Sequence, residues 1–89
     1  MRIISDIPNG SYKITLYGWN GKYIIKIEDG MFEQTYKIAE FDVTSDQEAA
    51  SLIDVEFLNA VTKRFEQMFK DWESSKERNN IFWITSPGY

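Results

Sequence analysis

The chain has 89 residues, with no Cys, no His, ten Lys and Arg against fourteen Asp and Glu, and six Phe, five Tyr and three Trp. Without imidazole or thiol there can be no Ser–His–Asp or Cys–His nucleophile system, no zinc site of thiolates and imidazoles, and no disulfide framework. The length gives one domain, 1–89, whose small core is offset by aromatic rings that each bury roughly 150–250 Å².

Residues 1–40 predict a β-meander. Arg2–Ile7 is a short apolar run stopped by Pro8-Asn9-Gly10, a strong turn sequence. Tyr12–Trp19 and Lys22–Glu28 alternate on either side of Asn20-Gly21, the pair best suited to the positive φ angles of a type I′ hairpin turn. Asp29-Gly30 repeats the device before Met31–Ala39. Two-residue loops fix register. Across Asn20-Gly21, Leu16 faces Ile25, Ile14 faces Ile27, Tyr17 faces Ile24 and Thr15 faces Lys26. With Asp29-Gly30 as the second loop, Ile27 faces Phe32, Ile25 faces Gln34, Tyr23 faces Tyr36 and Lys26 faces Glu33.

One sheet face then collects Tyr12, Ile14, Leu16, Tyr23, Ile25, Ile27, Phe32, Tyr36 and Ile38, and is the core face. The other collects Lys13, Thr15, Tyr17, Trp19, Lys22, Ile24, Lys26, Glu28, Met31, Glu33, Thr35 and Lys37.

Residues 45–78 form the helical segment. Ser45-Asp46-Gln47-Glu48 fits a capping box. Ala50, Ile53, Phe57, Ala60, Val61, Phe65, Met68 and Trp72 recur at helical spacing, with Leu58 and Phe69 widening the stripe. A single helix from Ser45 to Ser75 would be about 46 Å long at 1.5 Å per residue, against a domain diameter of roughly 30 Å. Either it breaks near Asp54, where Leu52 and Val55 leave the stripe, or its extra turns pack on a second subunit. Residues 81–89, opening with Ile81-Phe82-Trp83-Ile84, form an apolar C-terminal strand or tail that needs burial. The expected fold class is α+β: an antiparallel four-stranded meander, a long helix, continuous or broken, on one face, and a short C-terminal strand.

Charge is uneven. Residues 1–40 sum to zero, residues 41–56 carry five acids (Asp42, Asp46, Glu48, Asp54, Glu56) and no base, and residues 57–89 sum to +1. Three surfaces follow. The second sheet face, with Lys13, Lys22, Lys26 and Lys37 around Tyr17 and Trp19, suits single-stranded nucleic acid or a protein partner, because lysines draw phosphates and flat rings stack on bases. Against that stands a plain solvated face carrying a Thr15–Lys26–Glu33 ladder. Phe69, Trp72, Phe82 and Trp83 are expected dimer contacts. The acidic run suits an inhibitor or immunity-like protein with a basic partner, although Asp46 and Glu48 also fit a helix start.

No carboxylate pair, glycine-rich phosphate loop or calcium-loop spacing stands out. The expectation is a non-catalytic interaction domain, homodimeric, with no cofactor and no metal. No apolar run nears the 18–20 residues a membrane helix needs and the N-terminus lacks a signal peptide's apolar stretch, so the expected location is cytoplasmic.

Overall fold

A computed structural model describes residues 2–81. Four strands, β1 (Arg2–Asn9), β2 (Tyr12–Trp19), β3 (Lys22–Asp29) and β4 (Phe32–Ala39), pair in chain order as an antiparallel meander. A short 3₁₀ turn at Glu40–Asp42 leads to helix α1 (Asp46–Ser51) and the long helix α2 (Val55–Arg78). This is the expected α+β arrangement; the C-terminal strand expected from Ile81 onward lies almost wholly outside the described residues.

The hairpin at Asn20-Gly21 has both loop residues at positive φ (57° and 76°), as a type I′ turn requires, and its register pairs Leu16 with Ile25 and Tyr17 with Ile24 as expected. The other two hairpins are built differently. Gly10 and Gly30, at φ 62° and 61°, open two-residue loops whose second residues, Ser11 and Met31, stay at negative φ, the φ pattern of a type II′ turn. Asp29 therefore remains in β3. The register across this turn pairs Ile27 with Gln34, Ile25 with Tyr36, Tyr23 with Ile38 and Lys26 with Thr35, two residues away from the expected pairing. A slip of two preserves the faces, so every residue expected on the core face is there. Met31 leaves the outer face for the loop, where it is 93% exposed. β1 also runs on through Pro8, which an edge strand tolerates because it needs no donor on its outer side.

The core is one layer of side chains between the sheet and the two helices. Ile14, Leu16, Tyr23, Ile25 and Ile27 from the central strands close on Ala49 of α1 and on Val61 and Phe65 of α2. Ring pairs fasten α2 along its length: Tyr36–Phe57 at 5.0 Å, Tyr12–Phe65 at 5.4 Å and Phe32–Phe69 at 6.5 Å between centroids. Of the two buried polar residues among those described, Thr15 lies on the other sheet face and Gln34 lies in this core. Gln34 occupies an inward position of β4, donates to the Val61 carbonyl oxygen at 3.0 Å, and accepts from the Tyr36 hydroxyl. Both ends of its amide are thus satisfied, which is what makes its burial tolerable.

The helical segment breaks where the stripe fails. α1 stops at Ser51, and Asp54 restarts the helix by accepting from the Phe57 backbone N–H at 2.8 Å. At the first start Ser45 Oγ accepts from the Glu48 N–H, while Glu48 reaches the Thr44 N–H, one residue earlier than a standard capping box. The far end of α2 closes with Asn80 at φ 60°, its N–H bonding the Glu77 carbonyl and the Ile81 N–H bonding the Lys76 carbonyl, a Schellman motif.

Even broken, α2 has 24 residues, about 36 Å at 1.5 Å each, against about 27 Å for the eight-residue strands. The molecule is elongated, 52 × 27 × 21 Å, with a radius of gyration of 16.4 Å where a compact chain of this size has about 12 Å.

Candidate functional site

Two surfaces gather the residues that the sequence marks for function. The first is the uncovered face of the sheet. The register arranges it in four cross-strand rows: Trp19–Lys22–Ala39, then Ile3–Tyr17–Ile24–Lys37, then Asp6–Thr15–Lys26–Thr35, then Pro8–Lys13–Glu28–Glu33. The six candidate residues are all on this face, but they divide. Lys13 sits directly across from Glu28, and Lys26 is 3.8 Å from Glu33 on a diagonal. The expected straight Thr15–Lys26–Glu33 ladder is corrected accordingly: Lys26 is opposite Thr35, and Glu33 is opposite Glu28.

Lys22 and Lys37 remain near Tyr17 and Trp19, and neither forms a salt bridge among the described residues. At the centre of these rows Ile24 is only 5% exposed although no helix among the described residues covers this face, whereas Trp19 is 56% exposed. The row order explains this, since Tyr17 and Lys37 flank Ile24 across the strands while Lys22 and Lys26 flank it along β3.

The second surface is the end of the molecule where α2 outruns the sheet. Phe69 and Trp72 are 56% and 53% exposed and, with Met31 of the β3–β4 loop and Phe32 at the start of β4, line an apolar groove of about 440 Å³. Glu73 and Lys76 border it and pair with each other at 2.6 Å. Phe82 and Trp83, the other two expected dimer contacts, lie outside the described residues.

The acidic segment has largely local explanations. Asp46 and Glu48 occupy the first turn of α1, Asp54 caps α2, and Glu56 lies in the first turn of α2, all positions where negative charge meets unpaired backbone N–H groups. Asp46 has a further role that sequence reading missed. It accepts from the Tyr23 hydroxyl at 2.6 Å and from Arg2 at 3.5 Å, tying α1 to two strands. The Tyr23 bond holds the Asp46 carboxyl below the usual carboxylate range, with Arg2 helping and partial burial opposing. The same bond raises the Tyr23 hydroxyl above its ordinary value, as do burial and the charges of Asp46 and Glu40. Gly18 leaves the space for this link, because a Cβ there would lie 3.3 Å from the Arg2 guanidinium.

Among the described residues no group of three or more carboxylates is placed to hold a metal ion, and no helix is long and apolar enough to cross a membrane. No protein-family model, curated protein or solved structure matches the chain.

Proposed function

We propose that this chain is a small non-catalytic interaction domain that acts as a homodimer, joined through the overhanging end of α2. The observation that carries the reading is the apolar groove lined by Met31, Phe32, Phe69 and Trp72 at the end where α2 outruns the sheet. Met and aromatic residues are the types enriched in protein–protein contacts. Local charge favours a second copy as the occupant. From Gln67 to Arg78 the helix carries three cations (Lys70, Lys76, Arg78) and three anions (Asp71, Glu73, Glu77), whereas the whole chain is at −4. A two-fold contact sets the same patch against itself, so a neutral patch avoids the repulsion that an acidic one would bring. Sedimentation velocity across micromolar concentrations tests it. A dimer that Trp72→Ala converts to monomer supports the reading, and a wild-type chain monomeric throughout that range overturns it.

A further inference from the structure

We infer that the Trp19 end of the uncovered sheet face binds single-stranded nucleic acid, with Tyr17 and Trp19 stacking on bases and Lys22 and Lys37 meeting phosphates. The rows separate the charges of this face. Its three carboxylates, Asp6, Glu28 and Glu33, all lie in the two rows away from Trp19, together with Lys13 and Lys26. The two rows at the Trp19 end hold Ile3, Tyr17, Trp19, Ile24, Lys22, Lys37 and Ala39, with two positive charges and no negative one. The nearest acid, Glu40, directly follows Ala39 and its N–H donates to the Gly21 carbonyl at 2.9 Å, so it stands at the margin of these two rows and outside them. The acidic helix starts are on the opposite side, since α1 and α2 cover only the core face.

The spacing suits bases. Tyr17 and Trp19 are alternate residues of one strand, so they rise from the same face about 6.8 Å apart. That is twice the roughly 3.4 Å base step of a nucleic-acid strand, leaving room for one base plane between two rings. Ile24, almost fully buried among its neighbours, backs these rows without offering a surface of its own. Lys22 stands directly across from Trp19, and Lys37 two strands, or about 9.6 Å, from Tyr17. A protein partner fits this end less well, because lysine is depleted from protein–protein interface cores while unpaired cations between exposed rings are the standard equipment of single-strand grooves.

The test uses the full chain and a fluorescein-labelled oligothymidylate of about 15 nucleotides, followed by anisotropy at about 20 mM salt, where electrostatic contacts are least screened. Saturable binding is expected, with a log–log salt slope of about −1.4 for two phosphates. Trp19→Ala should weaken it about tenfold or more, and Trp19→Phe should largely retain it. Lys22→Gln with Lys37→Gln should bring the slope near zero, while Lys13→Gln with Lys26→Gln should leave it in place. All four lysines are on the surface, so the paired lysine variants decide the matter even if Trp19→Ala fails to fold. No anisotropy change at about 100 µM protein overturns the inference, since non-specific single-strand contacts are at least this strong. So does equal loss in both lysine pairs, and so does equal competition by polyglutamate at matched charge, which would mark an acidic-protein surface instead.

Discussion

The two halves of α2 carry the same stripe and meet different fates. From Val55 to Met68 the helix lies over the sheet, and Val61 and Phe65 are buried against Tyr12, Ile14 and Ile27. From Phe69 onward the apolar positions continue at helical spacing, yet Phe69, which meets the edge of Phe32 at the start of β4, stays more than half exposed, as does Trp72, because the strands have ended. Periodicity states which side of a helix is apolar. It does not state whether anything is there to meet it, and that depends on the ratio of helix length to strand length.

This contrast can be broken or sharpened by substitution. Phe65→Ala removes a ring from the covered half and should cost about 3–5 kcal/mol in denaturant unfolding, enough to unfold much of a marginal 89-residue domain. A cost below about 1 kcal/mol would mean that the helix is held elsewhere. Asp54→Ala removes the cap that starts the covered half and should cost about 1 kcal/mol, lowering Tm by roughly 4–8 °C.

Tyr23→Phe tests the tie between α1 and the sheet through pH. With the Asp46 carboxyl depressed in the folded state, its stabilising share is present above the ordinary aspartate range and is lost as pH falls through the folded-state value. The raised Tyr23 hydroxyl works oppositely, its share being present below the ordinary tyrosine value and lost as pH rises through the folded one. Tyr23→Phe should therefore flatten both limbs of a stability-against-pH curve, and an unchanged acid limb would refute the coupling.

Trp72→Ala belongs to the uncovered half. In dilute protein, where association contributes nothing, it should change unfolding free energy by less than about 0.5 kcal/mol. A larger loss there would show that Trp72 already supports the monomer fold.

Much of this was legible in the sequence because the signals were local. Asn20-Gly21 specified a turn type that only such residues accommodate, and alternation then assigned both sheet faces. The misreading at Asp29-Gly30-Met31 arose because Asp-Gly and Gly-X loops share a glycine: only the backbone shows whether that glycine comes second or first, and side-chain alternation is blind to a shift of two. The break at Asp54 was visible as a lapse in the stripe, and it separates α1 from α2; that α2 alone would still outrun the strands was not, because strand length enters that comparison as well. The partners of Asp46 and Gln34 were not legible, since Tyr23 and Val61 reach them from 23 and 27 positions away. A polar residue between Phe32 and Tyr36 on the inward phase of β4 was the one available clue to Gln34. On the outer face the sequence located the six candidate residues, while the pairing that separates Lys22 and Lys37 from Lys13 and Lys26 needed the register.

The meander has a consequence for synthesis. Each of its three turns joins neighbouring strands, so the hairpins can form within about 1–10 µs of leaving the ribosome. Their apolar face, however, is sealed by Val61 and Phe65, with Thr62 hydrogen-bonding Tyr12 across 50 positions of chain. At 5–20 residues per second, the stretch from Ile38 to Phe65 takes roughly 1–5 s to appear. For that interval the nascent sheet exposes Ile14, Leu16, Ile25 and Ile27 with two unpaired edges, so the seconds before α2 emerges are when a holdase chaperone has the most to protect.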